Sequence, residues 1–297
     1  MPTMLPSAPA ELHLAEITEA NRPAQLPLVT AIAGILSTSP QVTHLLVRGS
    51  LASGTADRLS DVDFVVGVKD AFLSAFVDAL DDLMTVAAGA LFPGWRDTIV
   101  ADLGGLGFVY LVPHDGKLQQ VDLYVAPAST IAHLRRKVAT AALLDREPEP
   151  VAESVAGAAA FVAEQAARRR SCTDLLIEHL VLIVLLHKRI QRGQRFVAYA
   201  EWHRLHTATK DLIKTALAPS SGFWGWYQMR EEIAVTPIGR ACLADLDAAI
   251  TSAAVPDAGD LPIALDRVLR LTTRACPSAL DGLRDALSAY RTYLELV

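Results

Sequence analysis

Residues 42–68 constrain this chain more than any other stretch of it. An apolar run containing Leu45-Leu46-Val47 leads into Gly49-Ser50. Ten residues then separate Ser50 from Asp61-Val62-Asp63, and a second apolar run, Phe64-Val65-Val66, leads out. Short runs rich in β-branched and aliphatic residues around a cluster of Gly, Ser and Asp read as two strands, Val42–Val47 and Val62–Val68, joined by a small-residue turn. Side chains alternate between the faces of a strand, so Asp61 and Asp63 point to one side, about 7 Å apart. Gly49 lets the backbone approach a bulky anion closely, while the Ser50 hydroxyl and neighbouring amides supply hydrogen bonds to it.

A third carboxylate completes the pattern. Asp122 sits in Gln120-Val121-Asp122-Leu123-Tyr124-Val125, a lone acid on an otherwise apolar strand. That placement is costly unless the acid faces a polar site or a cation. Carboxylates so arranged suit hard cations, and magnesium prefers one or two carboxylates plus phosphate oxygens and water. Two such ions can clamp the attacking and leaving oxygens of an in-line displacement. Asp122 is then either a metal ligand or, beside the acceptor, a general base. Arg48 and Arg58 are the cations within reach of triphosphate oxygens, and either can equally be a solvated surface charge.

Residues 47–64, VRGSLASGTADRLSDVDF, taken with Val121-Asp122-Leu123, resemble the polymerase-β-type nucleotidyltransferase superfamily. Within it the chain looks most like the antibiotic nucleotidyltransferases of the aminoglycoside and lincosamide branch. The motif match covers residues 42–125, and beyond them only the architecture is similar. The resemblance implies phosphate binding by Gly49 and Ser50, metal binding by Asp61 and Asp63, and a third acid at Asp122. Many members carry Arg three residues after the motif Ser, where this chain has Ser53. Some aminoglycoside members use Glu as the third acid, whereas Asp suits other branches, lincosamide modifiers included. The implied activity is an adenylyltransferase. It would use two magnesium ions and ATP to move AMP onto a hydroxyl of a small antibiotic-like acceptor, with loss of pyrophosphate. Two other readings stay open: a nucleotidyltransferase that modifies a toxin or regulatory protein, and a nucleotide sensor without turnover.

The rest of the chain sets the frame. Its 297 residues suit one large or two medium domains, and 52% hydrophobic residues with a mean hydropathy of +0.29 are ample for a core. A net charge of −6 without long basic runs argues against a nucleic-acid partner. Three widely spaced cysteines, Cys172, Cys242 and Cys276, form no CxxC pair and suggest a reducing cytoplasm. The first residues lack the charged start and apolar core of a signal peptide. The longest apolar stretch, 175–186, is interrupted by Glu178-His179 and is too short for a bilayer.

The expected fold is α+β: a nucleotidyltransferase domain of mixed sheet and helices over residues 1–147, and an all-helical acceptor-binding domain over 148–297. In the first, helices are expected over 9–20, 27–36 and 70–88. Strands are expected over 104–112 and 118–125, forming a hairpin through Pro113-His114-Asp115-Gly116, whose Pro and Gly suit a turn. Trp95 reads as a loop anchor. Composition shifts at 145–154, read as a linker or helix start. Helices are expected beyond it over 151–170, 171–192, 198–218, 228–233, 237–252, 262–274 and 277–297, with Pro237, Pro262 and Pro277 at helix starts. A cleft between the domains is the expected place for the acceptor. Glu178 and His179 read first as a polar stripe or a satisfied ion pair, and second as acceptor contacts. The aromatic cluster Phe223-Trp224-Gly225-Trp226-Tyr227 reads first as packing between helices, and second, through Trp224, as a stacking surface for the acceptor. His203 and His206, three apart on a helix, lack a third metal-ligand neighbour.

Overall fold

The computed structural model describes residues 23–97, 103–146, 152–222, 225–252 and 254–295. The helix expected over 9–20 lies outside them, as do Phe223 and Trp224. The chain divides into two compact units, Met1–Arg168 and Arg169–Val297, the first α+β and the second helical. The division falls later than the composition shift at 145–154 suggests. The reason is the helix Ala152–Ala167, whose Phe161 and Val162 pack against the core of the first unit. Its Gln165 also accepts a hydrogen bond from Arg96 of that unit.

The first unit is built on a six-stranded mixed sheet. In chain order its elements are α1 (Leu26–Ser37), β1 (Val42–Arg48), the single turn α2 (Gly49–Ala52), β2 (Val62–Val68), α3 (Leu73–Asp82), β3 (Trp95–Asp97), β4 (Leu106–His114), β5 (Lys117–Pro127), α4 (Ala128–Lys137), β6 (Thr140–Asp145) and α5 (Ala152–Ala167). The strands lie in the order β3-β4-β5-β2-β1-β6. Among the described strands only β2 and β5 run parallel, with Val62 opposite Val121 and Asp63 opposite Asp122. The alternation of β2 divides its side chains cleanly. Val62, Phe64, Val66 and Val68 enter the large core with residues of α1 and α3. Val65 faces the other way, into a small cluster with Leu46, Tyr124, Ala126 and two residues of α4, Ile131 and Leu134. Asp63 shares that second face, because it is two residues from Val65.

Several elements differ from expectation. The hairpin turn contracts to Asp115-Gly116, both at positive φ (49° and 68°), and Pro113 continues β4 opposite Leu118. Two-residue hairpin loops need positive φ at both positions to match the twist of the flanking strands, which Asp and Gly tolerate and Pro cannot. The stretch 70–88 is a 3-10 turn (Asp70–Phe72), then α3, then a π turn (Leu83–Ala87), rather than one helix. Trp95 opens strand β3 opposite Val109 instead of anchoring a loop. The carboxylate of Asp81 on α3 holds the approach to β3, accepting from Gly94 N at 2.8 Å and Tyr110 Oη at 2.7 Å. Burial first, and Asp81 second, push the Tyr110 phenol far up.

The second unit comprises α6 (Cys172–Gln191), α7 (Arg195–Leu217), α8 (Met229–Ile233), α9 (Pro237–Ile250), α10 (Asp260–Ala275) and α11 (Arg284–Glu295). Helix α6 opens on a reciprocal cap: Ser171 Oγ accepts from Asp174 N at 3.1 Å, and Asp174 Oδ2 accepts from Ser171 N at 2.7 Å. Its residues from Leu175 to Lys188 are buried, as befits a helix apolar nearly all round. Pro237 occupies the first turn of α9, whose cap is Thr236. Pro262 is the third residue of α10, and Pro277 opens a 3-10 turn, with α11 following it. No helix among the described residues is long and apolar enough to cross a membrane.

Candidate active site

Strand register assembles the acids. Asp63 and Asp122 stand directly opposite on parallel neighbours β2 and β5. Adjacent strands lie about 4.8 Å apart, so two carboxylates placed this way repel each other unless a cation intervenes. The next strand over supplies one. Register places Arg48 one step beyond the pair Val47–Phe64 of β1 and β2, and its Nη2 lies 3.3 Å from Asp63 Oδ1. Arg48 Nε is buried without a hydrogen-bond partner among the described residues, so the guanidinium is only partly satisfied by them. On the other flank the row continues through Val109 of β4 to Trp95 of β3. Gln120, two residues before Asp122 on the same face of β5, donates from Nε2 to Asp122 Oδ1 at 2.7 Å. Asp61 precedes β2 by one residue and is partly exposed.

Gly49 lies against this row. Its φ of +65° is open to glycine at little cost, and a Cβ there would stand 2.7 Å from Asp63 Oδ2. The small-residue turn is therefore a short helical turn pressed onto the Asp63 carboxylate. It closes through Ser53 N to Gly49 O at 3.1 Å and Thr55 N to Ser50 O at 2.9 Å. Ser53 is exposed, its hydroxyl 2.8 Å from that of Thr55. Arg58 is exposed in the loop that follows.

Sequence reasoning missed two residues that position this site, Gln120 and Gln25. Gln25, fully buried beside α1, donates from Nε2 to Asp57 O at 2.7 Å and to Ser60 O at 2.9 Å. Within the loop, Asp57 Oδ1 accepts from Leu59 N and from Ser60 Oγ, each at 2.9 Å. The loop is thus tied down one residue before Asp61. A lone Gln ahead of a helix gives no signal of a contact more than thirty residues away.

The donor set of Asp61, Asp63 and Asp122 is all hard oxygen, the chemistry magnesium takes. Among the described residues, no group of three or more His, Cys, Asp or Glu stands at metal-holding geometry. A nucleotide-bound magnesium needs fewer, because phosphate oxygens and water fill the remaining positions. The facing pair Asp63 and Asp122, beside Gly49, fits that donor chemistry.

The remaining candidates lie in the second unit. Glu178 is buried and pairs with Arg170, which also donates to Asp211 Oδ2 at 2.8 Å. Burial pushes the Glu178 carboxyl above its usual range, against the pull of Arg170. His179 is fully enclosed, and burial brings it down to about 4. Its Nδ1 is 2.8 Å from Leu175 O, which can only accept, so Nδ1 carries the hydrogen. Nε2 of the neutral ring lies 2.9 Å from Thr209 Oγ1, whose hydroxyl donates to Leu205 O at 2.9 Å. Both ring nitrogens of His179 thus face polar neighbours within the core. Trp224 lies outside the described residues. Of its neighbours, Trp226 is half exposed with Lys210 Nζ 5.8 Å from its ring centre, and Tyr227 is exposed. Core packing does not describe these two.

The chain matches no protein-family model and no curated protein.

Proposed function

We propose that this chain is a magnesium-dependent nucleotidyltransferase that moves AMP from ATP onto a hydroxyl of a small antibiotic-like acceptor, an aminoglycoside or a lincosamide, releasing pyrophosphate. The observation that carries the reading is the register of β2 on β5, which sets Asp63 opposite Asp122 beside a positive-φ glycine. Magnesium held by Asp61 and Asp63 would supply charge neutralisation on the triphosphate. Gly49 lets the backbone meet the phosphates closely, with Ser50 and Ser53 offering hydroxyls and amides beside it. Arg48 moves from Asp63 to a phosphate oxygen, and Arg58 is the second cation of the motif. Asp122, held at one oxygen by Gln120, takes the proton of the acceptor hydroxyl. That hydroxyl oxygen forms the new bond to the α-phosphorus, and the bond from the α-phosphorus to the pyrophosphate oxygen breaks. Catalysis then rests on positioning and electrostatics.

The test is mass spectrometry of the purified chain with magnesium, ATP and a panel of aminoglycosides and lincosamides, with the Asp61→Asn, Asp63→Asn variant alongside. The expected result is one AMP gained by a panel member with the wild type alone. Transfer retained by the variant overturns the site. AMP gained by a protein instead of a drug replaces the acceptor class, and nucleotide binding with no pyrophosphate released under any acceptor leaves a sensor.

A further inference from the structure

Helix α7 carries a cavity-forming surface within the helical unit. A cavity of about 460 Å³ is lined by Tyr199, Trp202, His203 and His206 of α7, by Trp226, and by Ile250 at the end of α9. That volume lies within the range of pockets that hold small molecules. The rings meet edge to face: Trp202 and His206 at 5.0 Å between centres, Tyr199 and His203 at 4.6 Å. Such a wall offers faces and edges for a flat ring to pack against.

Two polar atoms of this wall stand without partners. Trp202 is 2% exposed and His206 is 7% exposed, yet among the described residues neither Trp202 Nε1 nor His206 Nε2 finds a hydrogen-bond partner. Buried polar groups are nearly always paired, so two unpaired ones on one cavity wall call for a ligand that pairs them. The indole N–H can only donate, which requires an acceptor on the ligand. Burial, with His203 adding to it, brings His206 down to about 4, so its ring is neutral and offers one donor or one acceptor according to tautomer. No Lys, Arg, Asp or Glu lines the cavity among the described residues, so its wall offers an ionic ligand no ion-pair partner. The Arg267 guanidinium near His206 adds a field that disfavours a cation.

We propose that this cavity is a binding site for an uncharged, planar heteroaromatic molecule of one or two rings, carrying an acceptor for the Trp202 indole N–H and a polar ring atom for His206 Nε2. The probe is 4(3H)-quinazolinone, a neutral two-ring lactam, added to the full chain at millimolar concentration and read by saturation-transfer NMR. Transfer to its ring protons is expected in the wild type. In Trp202→Phe the ring stays and the N–H goes, and affinity falls about tenfold, as losing one buried hydrogen bond would give. Thr207→Trp, at an exposed lining position of α7, fills the cavity and abolishes the signal with the helical circular dichroism unchanged. No transfer in the wild type overturns the proposal, as does equal transfer in wild type and Thr207→Trp, or unchanged affinity in Trp202→Phe. Preferential transfer to methyl glucoside or to cyclohexylamine under the same conditions replaces the planar neutral ligand by a sugar or a cation, and overturns it too.

Discussion

Replacing Gly49 by Ala tests the contact between the first turn and Asp63 directly. Two penalties add at this position. A φ of +65° costs a residue with a Cβ about 1–2 kcal/mol. The new Cβ also arrives 2.7 Å from Asp63 Oδ2, so the carboxylate must shift and its pairing with Arg48 is disturbed. Forcing a methyl into packed surroundings costs about 1–3 kcal/mol more. Gly116 is the built-in control: its φ is +68° and nothing lies within 4 Å of its would-be Cβ, so Gly116→Ala carries the conformational penalty alone. Hydrogen-exchange mass spectrometry on peptides spanning residues 42–68 and 106–127 reads the opening free energy of each region. Gly49→Ala should lose about 1–3 kcal/mol more than Gly116→Ala. That excess should vanish when Asp63→Ala is present as well, since the clashing oxygen is gone. Equal losses in the two single variants refute the contact, and so does an excess that survives Asp63→Ala.

Two other outcomes follow from buried polar groups. His179 sits at about 4 in the folded chain against 6.5 unfolded, so the unfolded state binds the extra proton between those values and stability falls as pH drops through them. That difference corresponds to about 3 kcal/mol, and urea unfolding followed at pH 7.5 and 4.5 should show a smaller pH effect by up to that amount in His179→Gln; an unchanged pH effect contradicts the assignment. Gln25→Ala strips hydrogen bonds from Asp57 O and Ser60 O, and should raise exchange across residues 57–61 by about 1–3 kcal/mol in opening free energy while leaving β4 and β5 protected; unaltered exchange there would mean that the loop stands without Gln25.

What could be read from the residues was whatever local pattern dictates. Val42–Val47 and Val62–Val68 are dense in β-branched side chains, and strands β1 and β2 fall there with small shifts at the ends. The acids were nameable because charge on an apolar strand needs a reason. The structure adds the reason they meet, the parallel register of β2 on β5, which no local pattern encodes. Three elements escaped for physical causes. Strand β6, TAALLD, is built of Ala and Leu, which serve helix and strand alike. Strand β3 has three residues, shorter than any period can declare itself. Helix α4, ASTIAHLRRK, buries only Ala128, Ile131 and Leu134, too few apolar positions to mark a stripe. Pro113 misled because its fixed φ suits turns and extended strands equally, and β4 uses it in the second way. Gln25 could not have been found, since its partners lie far along the chain.

The parallel union of β2 with β5 also orders the assembly of the molecule in time. Strands β1 and β2 are near neighbours in sequence, so a nascent chain can form that ribbon, with Asp61 and Asp63 already side by side, at small loop-closure cost. Asp122 joins only after α3, β3 and β4 have been laid down between, and such non-local closures are the slow steps of folding. A chain caught before that step carries two acids and the glycine turn but lacks the third carboxylate opposite. Incomplete folding of the first unit would therefore silence the acid row before it unravelled the ribbon that displays its motif.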